Sequence, residues 1–240
     1  MTVGGWRPAR VIETRTQTPS ARSIRLEVPG WPGNLAGQHV DIRLTAEDGY
    51  QAVRSYSVGS YGPSDTIELA VDEVPDGEVS PYLVRDLRTG DELEVKGPLG
   101  QYFVWEPESP GPVQLIAGGS GVVPLMAMAR AASDAGTGAS MRMLYSVRNP
   151  GDAIYHDELV LAADAGVDVR WVYTRSAPPE WAGSVGRVDA EVLRASTWPI
   201  GEQPLVFVCG PTGFVEHVAD ILVQLGHDPS RVRTERFGGG

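Results

Sequence analysis

The sequence has 240 residues, of which 42% are hydrophobic and 21% are charged, an ordinary composition for one or two globular domains. A net charge of −11 argues against nucleic acid as a partner, because nucleic-acid binding selects for basic surfaces. No stretch reaches the roughly 20 apolar residues that span a bilayer, and the first residues lack a signal-peptide core, so we expect a cytoplasmic protein without a membrane partner.

The first part of the chain, from Arg10 to about Val104, consists of short alternating runs broken by Gly, Pro and Asp. Alternation of apolar and polar residues is typical of strands with one face in water. The clearest examples span residues 23–28, 40–44, 66–71 and 91–95. Short strands at this spacing predict an antiparallel barrel or sandwich, interrupted by one helix over residues 80–88.

The second part of the chain follows a predicted linker over residues 106–112, which is rich in proline. Continuous apolar runs, typical of buried parallel strands, then span residues 113–117, 141–146, 168–173 and 205–209. Helical stretches are predicted between and after them, over residues 123–135, 155–165, 188–195 and 214–225. Strands that alternate with helices predict a doubly wound parallel sheet. Residues 238–240, all glycine, are predicted to be disordered.

Two motifs in the first part suit a bound phosphate. Arg54-x-Tyr56-Ser57 lies on a predicted strand, whose alternation places Arg54 and Tyr56 on one face. An arginine supplies bidentate donors and a permanent charge. Gly77-x-x-Ser80 opens the predicted helix, and the N–H groups at a helix start favour an anion. Ser80 fits a plain helix N-cap equally well.

A glycine turn connects the first apolar run of the second part to the helix after it. The turn is Gly118-Gly119-Ser120-Gly121, and Pro124 stands near the start of the helix. Glycines let the backbone approach a pyrophosphate, and the helix start favours its charge. The ordinary dehydrogenase fingerprint has a third glycine that is absent here. The sequence therefore predicts a dinucleotide site of a different type.

Three arginines follow predicted strands of the second part. Arg148 follows the second apolar run, Thr174 and Arg175 follow the third, and Arg187 lies in the next loop. Because the carboxyl ends of parallel strands meet at one crevice, these side chains are expected to converge there. Bidentate contacts from arginine suit the 2′-phosphate of NADPH. The pattern favours NADPH and leaves NADH open.

The single cysteine, Cys209, ends the fourth apolar run and begins Cys209-Gly210-Pro211. One cysteine excludes an internal disulfide, and it excludes an iron–sulfur cluster held by this sequence, since plant-type clusters need four thiolates. A one-electron carrier would therefore be another polypeptide. The four histidines show no metal-ligand spacing, so no metal is predicted; they are His39, His156, His217 and His227.

Together and in this order, these motifs resemble the ferredoxin-NADP reductase family, and Gly97-Pro98-x-Gly100 resembles its closing flavin-domain strand. The resemblance covers about residues 10–237. It implies an FAD-binding antiparallel β-barrel domain over residues 1–108. It also implies an NAD(P)-binding, doubly wound α/β domain over residues 109–240.

The resemblance also implies roles for individual residues. Arg54 would pair with phosphate, Tyr56 would pack on the flavin ring, and Ser57 would hydrogen-bond near its N5. Cys209 would border the nicotinamide. The implied catalytic residues are Ser57, Cys209 and Glu235. The implied cofactor-binding residues are Arg54, Tyr56, Ser57, Val58, Gly77, Val79, Ser80, Gly119, Ser120, Gly121, Pro124, Arg148, Thr174, Arg175, Arg187, Cys209, Gly210, Pro211 and Phe237.

The C-terminal run contains the last two of these residues. Glu235 and Phe237 resemble the acidic and aromatic residues at which family members end, close to the flavin ring. Stacking of Phe237 on the ring is one hypothesis. The turn at Gly77 to Ser80, together with the resemblance, favours FAD over FMN.

The function implied is a monomeric, flavin-dependent oxidoreductase. It would pass a hydride from NADPH, or NADH, to FAD and single electrons to a separate acceptor such as a ferredoxin or another iron–sulfur protein. Two alternatives stay open. One is a reductase of small acceptors such as free flavin, ferric chelates or quinones. The other is a flavin-binding electron-transfer subunit of a larger complex.

Overall fold

The computed structural model describes residues 5–237 apart from Ala165, Ser184 and the side chain of Ala139. The predicted disorder of residues 238–240 lies outside the described residues. Within these limits, a six-stranded antiparallel sheet is followed by a five-stranded parallel sheet with helices on both faces. The predicted fold class, a β-barrel domain followed by an α/β domain, is confirmed.

The barrel consists of six strands in the order β4-β3-β6-β1-β2-β5. Apolar side chains alternate inward along each strand, as in β2, where Ile24 and Leu26 are buried and Arg25 is exposed. Val58, directly after β4, bridges Leu69 in β5 and so joins the two edges of the sheet. The strands are β1 (Arg7–Thr18), β2 (Ala21–Glu27), β3 (His39–Thr45), β4 (Gln51–Ser57), β5 (Thr66–Asp72) and β6 (Glu92–Leu99).

The second sheet has the strand order β11-β10-β7-β8-β9, with every neighbouring pair parallel. Its central strand β7 is buried along its whole length, which explains its continuous apolar sequence. Residues 106–112, between the two sheets, contain no helix or strand. The strands are β7 (Val113–Gly118), β8 (Met141–Val147), β9 (Asp168–Tyr173), β10 (Leu205–Pro211) and β11 (Val232–Phe237).

In the described part of the chain, four α-helices cover the parallel sheet on its two faces. The first two pack against the apolar cluster that contains Leu115 and Phe207. The other two pack against the opposite cluster, which contains Ile116 and Val208. Among the described residues, no helix is both long and apolar enough to cross a membrane. The helices are α1 (Val122–Asp134), α2 (His156–Asp164), α3 (Ala190–Ser196) and α4 (Thr212–Gln224).

Two elements differ from the sequence prediction. The helix predicted over residues 80–88 contains a single turn of π-helix over Tyr82–Asp86. The fifth parallel strand, β11, was not predicted, because three of its six residues are charged and only Val232 is buried. This strand matters for function, since it brings the C-terminal residues to the carboxyl edge of the sheet.

The two domains meet along an apolar seam. Phe103, at the end of the barrel domain, packs edge-on against Phe207 of β10, with ring centroids 5.2 Å apart. Ala36 and Trp105 of the barrel domain belong to the same buried cluster as α1. The end of β4 also reaches this seam, where Ser57 contacts Glu235 of β11.

Candidate active site at the seam between the domains

The centre of the site is a group of three side chains from three strands of two domains. Ser57 ends β4, Cys209 lies near the end of β10, and Glu235 lies beside Cys209 in the register of β11. The Ser57 hydroxyl donates to Oε1 of Glu235 over 3.4 Å. The three residues implied as catalytic are thus neighbours, and the Ser57–Glu235 hydrogen bond crosses the domain seam.

The electrostatics of this group follow from burial. Burial raises the pKa of Glu235 to about 7, and the hydrogen bond from Ser57 partly opposes that shift. Burial, followed by the nearby charge of Glu235, raises the pKa of the Cys209 thiol well above its usual range. At neutral pH the cysteine is therefore a neutral thiol. The raised pKa brings the titration of the Glu235 carboxyl group near neutral pH.

Strand β4 presents the predicted flavin-binding residues. The Arg54 side chain is exposed, whereas Tyr56 packs against the barrel core. Burial raises the pKa of Tyr56 to about 12, which keeps its phenol neutral. Val58 is fully buried in the core, and its N–H donates to the carbonyl of Gln38. Its side chain therefore faces the barrel interior.

The turn from Gly77 to Ser80 lies next to Arg54. The guanidinium donates to Oε2 of Glu78 over 2.5 Å, and the Tyr50 hydroxyl donates to Oε1 of the same carboxylate over 2.8 Å. Hydrogen bonds from Tyr50 and Arg54 lower the pKa of Glu78. Sequence reasoning missed both Tyr50 and Glu78. Sequence spacing does not reveal this contact, because Glu78 lies in a turn 28 residues after Tyr50 and 24 residues after Arg54.

The remaining residues of that turn hold its shape. The Ser80 hydroxyl accepts from the N–H of Val74 over 3.0 Å, so it fixes the turn rather than capping a helix. Val79 is fully buried in the barrel core. A Cβ added to Gly77 would lie 3.0 Å from the carbonyl oxygen of Val74 and 3.1 Å from the Ser80 hydroxyl. The turn is therefore tight.

The glycine turn after β7 and the Cys-Gly-Pro turn after β10 pack directly on each other. A Cβ added to Gly121 would lie 2.1 Å from the carbonyl oxygen of Cys209. A Cβ added to Gly210 would lie 3.0 Å from the carbonyl oxygen of Gly118. Gly119 has a φ of +54°, a left-handed conformation that glycine adopts at little cost. Two motifs that are distant in sequence thus form one backbone unit.

Other residues of this unit surround the start of α1. Ser120 is partly exposed in the turn, and Pro124 is buried in the first turn of the helix. Pro211 is exposed at the end of β10, where Phe237 is its neighbour in the register of β11. Phe237 is partly buried against the apolar cluster beneath α1. The C-terminal aromatic ring therefore lies at the same edge as the glycine turn.

The three predicted arginines lie along one edge of the parallel sheet. The N–H of Arg175 donates to the carbonyl of Arg148 over 2.9 Å, which makes these residues backbone neighbours. The N–H of Thr174 continues the pairing to Val147. The segment before Arg187 returns to the same edge, because Val185 bridges Tyr173.

These arginines differ in their partners. Arg148 donates to Oδ2 of Asp152 over 2.7 Å, so its charge is already paired. The spacing of four residues between them is the sequence signal that could have revealed this pair. Arg175 and Arg187 are exposed, and within the described part of the chain neither side chain has a partner. Two unpaired guanidinium groups are thus available at this edge.

Comparison with known proteins agrees with this geometry. Residues 8–104 match the family model described as Oxidoreductase FAD-binding domain, and residues 115–220 match the Oxidoreductase NAD-binding domain. Ferredoxin–NADP reductase B of Sorangium cellulosum (strain So ce56) is 35% identical over 238 residues, which cover 95% of this chain and 96% of that protein. The chain belongs to the ferredoxin-NADP reductase family.

Two further similar proteins are a larger relative and a solved structure that shares the fold. The glycine betaine monooxygenase reductase subunit of Chromohalobacter salexigens (strain ATCC BAA-138) is 33% identical over 84% of this chain, which spans only 55% of that subunit. The FAD/NAD-binding domain of nitric oxide dioxygenase from Vibrio cholerae shares the fold, with a TM-score of 0.86, 24% identity, and coverage of 97% of this chain and 99% of that chain.

The described residues of this family member fit both cofactors. The barrel presents an exposed guanidinium beside a tight turn, and the second domain presents two glycine turns without side chains at their contact. FAD and a nicotinamide nucleotide are therefore its cofactors. The protein is an NAD(P)H-dependent flavoprotein reductase.

Proposed function

We propose that this reductase takes a hydride from NADPH in preference to NADH and delivers single electrons to a separate protein acceptor such as a ferredoxin. The observation that carries the proposal is the contact across the domain seam between Ser57 and Glu235, with Cys209 beside Glu235. That contact places residues of the flavin strand and of the nucleotide domain at one point, as transfer between two bound cofactors requires.

The preference for NADPH is supported by the charge of the sheet edge. Arg175 and Arg187 would pair with the 2′-phosphate of the nucleotide. Arg148 would join them by dividing its hydrogen bonds between Asp152 and the phosphate. Bidentate arginine contacts are strong for a phosphate and are lost with NADH, which lacks that group. Thr174 directly precedes Arg175, and its N–H donates to the carbonyl of Val147. It would therefore help to hold Arg175 at the sheet edge.

On the barrel side, we assign binding roles to the residues of β4 and of the turn from Gly77 to Ser80, which follows β5. Arg54 would pair with the pyrophosphate of FAD, sharing its guanidinium with Glu78. Tyr56 would pack against the flavin ring. Since the side chains of Val58 and Val79 are buried, these residues and Gly77 would contribute main-chain groups only. Ser80 would act by holding the turn.

On the nucleotide side, Gly119, Ser120, Gly121 and Pro124 would hold the pyrophosphate of the nucleotide at the start of α1. Gly210 and Pro211 would form the opposite wall of that site. Phe237 would stack at the flavin. The contact of Gly121 with the Cys209 carbonyl fixes the distance between these two turns.

When bound, the FAD supplies the conversion of a two-electron hydride into single electrons. The residues of the chain provide position and protons. Ser57 holds its hydroxyl toward Glu235, whose carboxyl group can keep or release a proton near pH 7. Cys209, a neutral buried thiol, would border the nicotinamide by shape and not act as a nucleophile.

The acceptor is proposed to be a separate molecule because this sequence has one cysteine and therefore no iron–sulfur cluster of its own, and we propose a protein in preference to a small acceptor. Support comes from the similarity to a ferredoxin–NADP reductase over 96% of that protein's length. We also propose a domain boundary between residues 108 and 109, inside the segment without helix or strand. A cytoplasmic location and a monomeric state remain predictions of the sequence.

Turnover with competing acceptors tests this proposal. Purified protein, loaded with FAD, is given NADPH and either a ferredoxin, free flavin, a ferric chelate or a quinone. The proposal expects the highest kcat/KM with the ferredoxin. Equal or higher values with the small acceptors would favour a small-acceptor reductase instead. Activity that requires a co-purifying polypeptide would favour a subunit of a larger complex.

A further inference from the structure

A charged cluster joins the two domains behind the candidate active site. Arg130, on α1, donates from Nε and Nη2 to the two carboxylate oxygens of Glu158, over 2.6 and 2.7 Å. Its Nη1 crosses to the barrel domain, where it donates to the carbonyl of Gly59 over 2.6 Å and to Oε1 of Glu68 over 2.8 Å. We call Arg130, Glu158, Gly59, Glu68 and Tyr155 the Arg130 cluster.

Tyr155 supplies a second link across the seam. Its hydroxyl donates to Oε1 of Glu68 over 2.9 Å, and its N–H donates to Oε1 of Gln17 on β1 over 3.1 Å. The guanidinium of Arg130 lies 4.9 Å from the centre of its ring. Both domains therefore contribute residues to one hydrogen-bonded group.

The backbone around the cluster is shaped to allow this contact. Tyr155 has a φ of +60°, which is uncommon for a residue with a large side chain and persists only where the surroundings fix it. A Cβ added to Gly59 would lie 2.6 Å from the Tyr155 hydroxyl. The close approach of the domains at this point thus needs a glycine on one side and a left-handed tyrosine on the other.

The charges of the cluster depend on each other. The Arg130 side chain is only 21% exposed and Glu68 only 18%. Without the guanidinium, the largely buried carboxylate of Glu68 would lose its charged partner, a costly arrangement. An arginine is suited to this position because its rigid fork serves several acceptors at once.

Two crevices flank the cluster. One crevice, of about 500 Å³, lies among Tyr61, Asp134 and Leu161. The other, of about 240 Å³, lies among Glu13, Arg15 and Gln17. Arg130 and Glu158 line both. The cluster therefore adds directed hydrogen bonds to the apolar packing between the domains, alongside the hydrogen bond of 2.6 Å from the Tyr61 hydroxyl to Oδ2 of Asp134.

The position of the cluster connects it to both cofactor sites. Arg130 lies on α1, whose first turn follows Gly121 of the nucleotide turn; at a rise of about 1.5 Å per residue, it lies about 12 Å along the helix from Val122. Gly59, which Arg130 holds on the other domain, closely follows Ser57 of the flavin strand. One rigid helix thus joins the nucleotide turn to the end of the flavin strand.

From this arrangement we infer that Arg130 is a positioning residue for hydride transfer, acting through Gly59, Glu68 and Tyr155 to set the distance between the nucleotide turn and the flavin strand. It contacts neither proposed cofactor site itself. The inference rests on the proposed transfer between the two domains. Because a misplacement of about 1 Å can slow a reaction about 100-fold, a small change of domain angle is sufficient for a measurable effect.

Two variants break the cluster and one matched variant serves as control. Arg130→Met removes the guanidinium but keeps an extended side chain. Glu68→Ala removes the acceptor that Arg130 and Tyr155 share, and it decides the question if Arg130→Met fails to fold. The control is Arg142→Met. Arg142 is 25% exposed and lies in the same domain, but its contacts to Asp168, Thr197 and Trp198 stay within that domain.

The first readout is kinetic. In single-turnover reduction of FAD-loaded protein at saturating nucleotide, Arg130→Met and Glu68→Ala should slow flavin reduction at least tenfold. Their Kd values for the nucleotide should stay within about threefold of wild type, since the nucleotide turn itself is unchanged. Arg142→Met should keep the wild-type rate. Equal rates in wild type and both cluster variants, or equal slowing by Arg142→Met, would overturn the inference.

The second readout does not depend on turnover. Spin labels on Asp48→Cys of the barrel domain and Glu202→Cys of the second domain report the distance between domains; both positions are exposed, while the native Cys209 is buried. The distance distribution should broaden in Arg130→Met and Glu68→Ala and stay narrow in Arg142→Met. An unchanged distribution in both cluster variants would overturn the inference. If the wild-type flavin is not reduced at all, the proposed function fails, and the distances still decide the inference.

Discussion

The buried carboxyl group of Glu235 should make the stability of this protein depend on pH in a way that one substitution removes. Its folded-state pKa is raised from 4.5 to about 7, mainly by burial. The folded state therefore holds this proton more tightly than the unfolded state. This contribution to the free energy of unfolding is fully present below about pH 4.5. It decreases as the pH rises and is lost once the pH passes about 7.

The size of the effect follows from the shift. At about 1.4 kcal/mol per pKa unit, a rise from 4.5 to about 7 corresponds to about 3 kcal/mol. The Glu235→Gln variant has no titratable group at this position. Between about pH 4.5 and pH 7, the stability of this variant relative to wild type should rise by about 3 kcal/mol in total.

Urea denaturation of both proteins at several pH values between 4.5 and 8 measures this difference. FAD-free protein is used, because cofactor binding adds its own stability. Other titrating groups are common to both proteins and cancel in the difference. A second pair of proteins adds Ser57→Ala, which removes the hydrogen bond that lowers the Glu235 pKa, so the rise should continue above pH 7. A difference that does not change with pH would refute this account of Glu235.

Three further predictions concern cofactor binding. Arg54→Ala should weaken FAD retention about tenfold or more, since a charge-assisted hydrogen bond contributes about 1.5–3 kcal/mol. An Arg54→Ala protein that stays fully yellow through gel filtration contradicts this. Glu78→Gln should tighten FAD retention. Arg175→Ala should raise the KM for NADPH about tenfold and leave that for NADH nearly unchanged; steady-state kinetics with equal effects on both removes the 2′-phosphate assignment. Phe237→Ala should change the flavin spectrum and slow turnover, and an unchanged spectrum and rate contradict stacking.

The hydrophobic pattern was sufficient to predict the elements around the site. Continuous apolar runs marked the inner parallel strands because both faces of each are covered by helices. The edge strand Val232–Phe237 lacks that run, since three of its six residues are charged, whereas the other edge strand, β9, is also only partly buried but keeps its apolar residues. The hydrophobic pattern could therefore not reveal β11. The contact of Glu235 with Ser57 therefore became visible only in the structure.

Contacts between residues that are distant in sequence were the second feature that the sequence could not predict. The motif identified Arg54, but its contact with Glu78 depends on how the barrel brings β4 beside the turn. The glycine turn was recognised, but the requirement for Gly121 comes from the carbonyl of Cys209 on another strand. The left-handed Tyr155 had no sequence signal, because asparagine and glycine are the usual residues there.

Anaerobic stopped-flow absorbance of the FAD-loaded protein, mixed separately with NADPH and NADH, tests the central claim most directly. The account predicts rapid bleaching of the yellow flavin band, with NADPH effective at lower concentrations than NADH. A colourless protein that cannot be reconstituted with FAD, or a bound flavin that neither nucleotide reduces, would contradict it.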